Sequence, residues 1–383
     1  MKVALISQNA SPGLMIFRKD FIEYLVLAGH DVFLFAIDYS ELTRSLVEDM
    51  GAIAVDYSLS KTGITPFKDI KDTWLLSRKL KELKVDVTFS FFIKPSIYGT
   101  IAAKIASVPR RIAMLEGLGY IYTPNKFGIT LKKRILQYIH GGLCSIGYMF
   151  ADKVLFLNEN DPVDLLQFSV LNKNKFKVVG PIGLNLNDYP HSKVVPSESI
   201  KFIFVARLLA EKGVFEYIDA ARKVKAIHPS AEFTMLGGLD YDNPTALSSK
   251  ELALVVEEGV VSCLGHVSNV YEFLVKSDVF VLPSYREGYP RSTQEAMSVG
   301  RAIITTDVPG CRDCVIDELN GFIVQPWDSM ALAEKMIYFI ENPKEITRMG
   351  ENSRKKAINE FDVHKINPVL SDIVLGEIGL GNR

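Results

Sequence analysis

Residues 278–307 read DVFVLPSYREGYPRSTQEAMSVGRAIITTD. An apolar run, DVFVLPS (278–284), opens the stretch, and a second, AIITTD (302–307), closes it. Between them lie a Gly-Tyr-Pro turn and a helix-like segment ending at Gly300. Continuous apolar runs of this length, bounded by turn residues, predict buried strands of a parallel sheet with the helix as crossover. Pro290 suits the first turn of that helix, so Arg291–Gly300 would present its amino end at the carboxyl end of the preceding strand. Free N–H groups and the helix dipole there favour an anion such as a phosphate. Glu295 falls in the second turn, placed to accept hydrogen bonds from a vicinal diol, and Glu287 sits on the loop before the helix, placed to meet a polar substrate group. Read alone, the stretch fits equally well a capped helix with a solvated glutamate.

The rest of the chain repeats this alternation. VALIS (3–7), DVFLFAI (31–37), AIAVDY (52–57), VDVTFSF (85–91), RIAMLE (111–116) and KVLFLN (153–158) read as strands with helical patterns between them. PHSKVVPSES (190–199) interrupts the series with two prolines and three serines and reads as a linker. Alternation restarts at KFIFVAR (201–207) and continues through AEFTMLGG (231–238), VVSCLG (260–265), the opening stretch and GFIVQP (321–326). With 383 residues the chain is too long for one ordinary core. The expectation is α/β: two doubly wound, Rossmann-like domains facing across a cleft. They would span 1–190 and 191–360, with 361–383 as a closing segment.

Composition narrows the function. The net charge of −1 supplies no global basic field for nucleic acid. MKVALIS is too short an apolar stretch for a signal peptide. The longest apolar run, near 142–151, is about half of the ~20 residues a spanning helix needs. A cytoplasmic protein is expected. PGCRDC holds the one Cys-x-x-Cys, without a second pair or histidines at metal spacing, so its cysteines read as ordinary reduced thiols. No metal site is expected.

In parallel sheets of this kind ligands gather at the strands' carboxyl ends. Gly13 lies in the first such loop but lacks the spaced glycines of a dinucleotide fingerprint, which weakens a dehydrogenase reading. Arg207 and Lys212, in ARLLAEKG, place two cations at a strand exit, Arg as a planar fork and Lys as a point charge. They suit a diphosphate, or are two solvated cations before a helix. Gly237 and Gly238 suit a close backbone approach to a flat base, or a plain turn. His266 would lie beside such a base, with backbone groups of Val267 reading uracil, or is equally well an ordinary loop residue. Asp240 and Asp242, in LDYDNP, imitate a metal-binding Asp-x-Asp but read as a surface loop.

Taken together, the Arg-x4-Lys pair (Arg207, Lys212) and the Glu-x7-Glu pair (Glu287, Glu295) resemble those of the retaining glycosyltransferases of family 4, which have the GT-B fold. The resemblance runs from VALIS to the last helix. It implies that Arg207 and Lys212 bind the donor's diphosphate, that Glu295 binds the nucleotide ribose, and that Glu287 lies near the donor sugar. It implies sugar or phosphate contacts for Gly288, Tyr289, Pro290, Arg291 and Ser292, and a place near the phosphates or acceptor for Gly13. It also implies a helix at about 361–376 that crosses back to the first domain. FFIKPSIYG (91–99) and VPRRIAMLEGLGYIYT (108–123) are similar to the subgroup building bacterial O-antigens, capsules and protein-linked glycans on undecaprenyl diphosphate. Many family members have a histidine where this chain has Glu116, which would instead contact the donor sugar or an acceptor hydroxyl, or cap a turn.

The implied donor is a UDP-sugar, with N-acetylgalactosamine favoured, and the implied acceptor a lipid-diphosphate-linked glycan. No metal cofactor is implied. Lys126, Lys132, Lys133 and Arg134, interleaved with Phe127, Ile129, Leu131, Ile135, Leu136 and Tyr138, would face the inner surface of the cytoplasmic membrane, or form a solvated helix face. Two rivals remain at this stage: a UDP-sugar 2-epimerase of the same fold, and a nonenzymatic two-lobed sugar-binding protein.

Overall fold

A computed structural model describes residues 1–60, 63, 65–195, 198–240, 243 and 245–376. The chain forms two compact units. One comprises Met1–Tyr122, Thr130–Ile182 and the chain from Val363, and the other Thr123–Ile129 and Gly183–Asp362. The boundaries thus fall at 182/183 and 362/363 instead of 190/191 and 360/361.

The first unit is a seven-stranded parallel sheet: β1 (Lys2–Ile6), β2 (Asp31–Ala36), β3 (Ile53–Asp56), β4 (Val87–Phe91), β5 (Arg110–Leu115), β6 (Lys153–Phe156) and β7 (Phe176–Val178), in the order β3-β2-β1-β4-β5-β6-β7. Every residue of β4 is buried, as expected of a central parallel strand covered on both faces. Register is in step across the centre, Val3 lying opposite Val32 on one side and Val87 on the other.

The second unit repeats the plan with β8 (Lys201–Val205), β9 (Glu232–Leu236), β10 (Ser262–Cys263), β11 (Val279–Leu282), β12 (Ala302–Thr306) and β13 (Gly321–Val324), ordered β10-β9-β8-β11-β12-β13. Strand order reverses between β1 and β4 and again between β8 and β11. The loops there diverge to opposite faces and leave a crevice for ligands.

Four elements differ from expectation. The 190–199 stretch is no free linker in its described part, because Val194 is 6% exposed within the second unit's core. Ser192 N donates to Val299 O at 3.0 Å, and Arg301 donates to Ser192 O at 2.9 Å. Burial of one valine and these backbone bonds outweigh the proline and serine content; residues 196 and 197 lie outside the described residues. The 260–265 strand contracts to two residues. The short β7, with Lys177 at its centre, and the helix Asn160–Leu166 were not anticipated.

The final helix, Val363–Leu375, packs in the first unit against the helix Lys19–Leu27 and β4. Arg110 satisfies its terminal carbonyls, reaching Val374 O at 2.7 Å and Ile373 O at 2.6 Å.

Candidate functional site

The crevice between β8 and β11 is built from their exit loops. Chain leaving β8 makes a single turn, Ala210–Lys212, that ends in left-handed Gly213 (φ 74°). A Cβ there would lie 2.1 Å from Pro283 O, so only glycine lets this loop rest on the β11 exit. The close approach carries Lys212 Nζ to within 2.6 Å of Glu287 Oε1. Ser284 donates its hydroxyl to the same oxygen at 2.8 Å. The Glu287 backbone is held as well: its N–H donates to Pro309 O at 3.0 Å. Gly310 (φ 80°) leaves room there, since a Cβ would sit 2.5 Å from Glu287 O. Glu287, read from sequence as a carboxylate waiting on a loop, is therefore a paired and oriented one. Lys212 is correspondingly charge-balanced, and an anion binding at Lys212 has to compete with Glu287 for it.

The crossover helix is Arg291–Val299, with Pro290 one position earlier than expected, at the cap (φ −66°, ψ 119°). No side-chain hydrogen bond caps this end, which follows the exit loop of β11. Glu295, 8% exposed, accepts from Tyr189 Oη at 2.9 Å and from Arg291 Nε at 3.0 Å, both on Oε1. Gln294 completes the seating by accepting from Gly183 N at 3.2 Å.

The remaining residues separate into groups. Arg207 is 63% exposed and pairs with Asp240 at 3.1 Å, so it stands at the rim; Asp242 lies outside the described residues. Gly237 is required by the chain itself, because a Cβ would fall 1.8 Å from Ala206 O. Gly238 is the more open neighbour, its nearest non-local atom being His266 Cβ at 3.9 Å. His266 is exposed, and half-buried Val267 packs against the core. Gly288 is buried and Ser292 half-buried. The Tyr289 ring packs edge-on against Phe361 (5.8 Å) and its hydroxyl donates to Asp313 O at 3.1 Å. These contacts hold its half-buried side chain against the protein. Burial also pushes the Cys311 thiol up to about 12, which keeps it an unreactive thiol. Cys314, with its own thiol pushed up by burial, is likewise free of any disulfide.

In the first unit Gly13 falls in the turn Ala10–Leu14 that leaves β1. Glu116, just past β5, forms a buried ion pair with Arg18. Arg18 is 1% exposed, lies over the rings of Phe89 (5.5 Å) and Phe91 (5.0 Å), and reaches Met114 Sδ at 3.1 Å. Burial pushes the Glu116 carboxyl above its ordinary value, and Arg18 opposes that rise. Glu116 is a held carboxylate, not a turn cap.

The helix Leu131–Met149 exposes Leu131, Ile135, Tyr138, Ile139, Ile146 and Met149 along one stripe, with exposed Lys132 and Arg134 at its amino end. Lys133 departs from the expected basic face. It turns inward, its Nζ 3.8 Å from the centroid of the Tyr120 ring. Leu136 and Ile129 are half-buried, and Lys126 and Phe127 are exposed.

Three contacts were not visible in the sequence: Ser284 on Glu287, Tyr189 on Glu295, and Arg18 on Glu116. Ser284 stands three residues before Glu287 in the opening stretch and offered a local signal. Tyr189 and Arg18 lie 106 and 98 residues from their partners. Among the described residues no helix is long and apolar enough to cross a membrane, and no three His, Cys, Asp or Glu side chains converge as a metal site would require. Two concavities, of about 620 and 310 Å3, are bordered by Lys193, Val194 and Val195; the smaller also takes in Lys201 and Asp278, at the amino ends of β8 and β11, opposite the loops described above.

Residues 2–158 match the family model Glycosyl transferase 4-like, and residues 187–356 match Glycosyl transferases group 1. Two Rossmann-like domains of the GT-B class carrying these sequences define a glycosyltransferase. The chain belongs to the glycosyltransferases that join a 4-like domain to a group 1 domain. It is similar to the N,N'-diacetylbacillosaminyl-diphospho-undecaprenol alpha-1,3-N-acetylgalactosaminyltransferase of Campylobacter jejuni, 29% identical over 370 residues that cover 94% of each chain. It is also similar to the UDP-Gal:alpha-D-GlcNAc-diphosphoundecaprenol alpha-1,3-galactosyltransferase of Escherichia coli, 24% identical over 82% of this chain and 81% of that one. Among solved structures, Anabaena HepE in complex with UDP and glucose has a TM-score of 0.78 at 18% identity, covering 98% of this chain and 100% of that one, which is a likeness of fold.

Proposed function

We propose that this enzyme is a retaining, metal-independent glycosyltransferase that moves a hexose or N-acetylhexosamine, GalNAc first among them, from a UDP-sugar to a glycan on a polyprenyl diphosphate. The observation that carries this reading is the Lys212–Glu287 pair at the β8/β11 crevice, beside an uncapped helix end. Departure of UDP builds negative charge on the β-phosphate. Lys212, exchanging Glu287 for the diphosphate, and the amino end of helix Arg291–Val299 meet that charge. Arg207 adds a rim cation, and Glu295 takes the ribose. Glu287, released from Lys212 as the diphosphate takes its place, would orient the sugar and balance the positive charge developing at its anomeric carbon. The relatives' names support the acceptor class: both act on glycans carried by diphospho-undecaprenol, and they differ in the sugar they transfer.

The reaction is tested by nucleotide release from a panel of UDP-, GDP- and dTDP-sugars in the presence of a lipid-diphosphate sugar. Release from a UDP-sugar that depends on the lipid acceptor is expected. No release from any UDP-sugar overturns the donor, and acceptor-independent conversion of UDP-GlcNAc marks an epimerase instead.

A lipid-borne acceptor also brings the enzyme to the inner face of the cytoplasmic membrane. The exposed stripe on helix Leu131–Met149, flanked by Lys132 and Arg134, is suited to lie in an anionic interface. Co-sedimentation with phosphatidylglycerol vesicles is expected, and Ile135→Glu with Tyr138→Glu should weaken it about tenfold, the scale of two lost apolar anchors. Both side chains are exposed, so folding should be spared. Unchanged sedimentation removes this helix from the membrane contact.

A further inference from the structure

Glu295 makes hydrogen bonds of an uneven kind. Oε1 receives both Tyr189 Oη (2.9 Å) and Arg291 Nε (3.0 Å), while Oε2 accepts none among the described residues. Two donors converging on one oxygen fix the plane of the carboxylate, because tilting that oxygen away weakens both bonds at once. Tyr189 is itself anchored from three sides. Its carbonyl accepts from Arg354 at 3.1 Å, and Arg354 also binds Ser298 O at 2.5 Å, on the same helix as Glu295. Its ring packs edge-on to Tyr271 (6.4 Å). Its N–H donates to Leu186 O at 3.3 Å. Burial and the adjacent Glu295 charge push its hydroxyl well above the ordinary phenol range, so it keeps its proton and remains a donor.

We propose that Tyr189 is a positioning residue that holds Glu295 with Oε2 presented to the donor's ribose, and that the enzyme's preference for ribose over 2′-deoxyribose depends on it. The inference rests on the reading of Glu295 as the ribose-binding carboxylate. A carboxylate held this way offers one oriented oxygen. A ribose hydroxyl that donates to it adds a charge-assisted bond, and a sugar lacking that hydroxyl leaves the oxygen unpaired. Without the phenol, Arg291 alone still neutralises Glu295, but the carboxylate is free to rotate about that single bond.

Competition by UDP and by 2′-deoxy-UDP against the UDP-sugar tests this, in the wild type and in Tyr189→Phe. The substitution keeps the ring and its packing and removes only the hydroxyl. The wild type should bind UDP about tenfold more tightly than 2′-deoxy-UDP, and Tyr189→Phe should narrow the ratio to about twofold, raising KM for the donor while kcat changes little. Glu295→Gln should narrow it likewise. Discrimination retained in Tyr189→Phe but lost in Glu295→Gln overturns the role of Tyr189 and leaves that of Glu295 standing. Absence of discrimination in the wild type overturns both.

Discussion

Glu287→Gln is expected to lower turnover about 100-fold or more, and Lys212→Ala by a similar factor, the scale of removing one preorganised charge-stabilising group. In the resting enzyme these residues satisfy each other at 2.6 Å, with Ser284 as third member. Each substitution therefore does two things. Lys212→Ala removes the cation that meets the diphosphate and leaves Glu287 with the Ser284 hydroxyl as its remaining side-chain hydrogen bond in this group. Glu287→Gln removes the carboxylate and leaves Lys212 without its counter-charge, so the lysine binds phosphate before and after transfer alike. That tightening slows product departure and does not help the transition state. Because the two act as a unit, the double variant should lose far less than the product of the single losses. Steady-state kinetics of sugar transfer and UDP release in the four proteins decide the matter. Near-normal turnover in both single variants removes these residues from the reaction, and fully multiplicative losses show that the ion pair is incidental to it.

Much of the second unit could be read directly because parallel strands carry their own signature. β11 and β12 are buried along their whole lengths, so their sequences are unbroken apolar runs ended by turn residues. The positions of Lys212, Glu287 and Glu295 followed, since a residue just past a strand's carboxyl end has few places to go. What each side chain does there was less accessible. Tyr289 and Glu287 sit two residues apart on one loop, yet the first packs against Phe361 and the second turns to Lys212. Loop position constrains the backbone and leaves side-chain direction to whichever partner the tertiary structure supplies. The same reason hid Tyr189 and Arg18, whose partners are brought near only by the order of the strands. Segment 190–199 was misjudged by composition: one buried valine and a few backbone bonds outweigh two prolines and three serines.

Arg18→Met is expected to lower the thermal midpoint by about 10 °C, because breaking a buried ion pair costs about 3–5 kcal/mol in a unit of this size. Arg18 is almost wholly enclosed, bonded to Glu116 and Met114 and lying over two phenylalanine rings. Methionine retains most of the packing and removes the charge, which leaves Glu116 ionised in an apolar setting or forces it to take a proton. The pH dependence distinguishes these effects from a simple packing defect. Burial already holds the folded Glu116 carboxyl above its unfolded value, so its contribution to stability is complete below the ordinary carboxylate range and is lost as pH rises through the folded value. Removing Arg18 takes away the influence that opposes that rise, shifting the folded value higher and extending the loss toward neutral pH. Midpoints measured from pH 4 to 8 should therefore diverge, with Arg18→Met falling further behind the wild type as pH increases. Adding Glu116→Leu should recover much of the loss and flatten the difference, since an apolar pair in place of a buried ion pair is close to neutral. Parallel pH curves, or a double variant no more stable than Arg18→Met, would show that Arg18 acts through its packing on Phe89 and Phe91 and not through its charge.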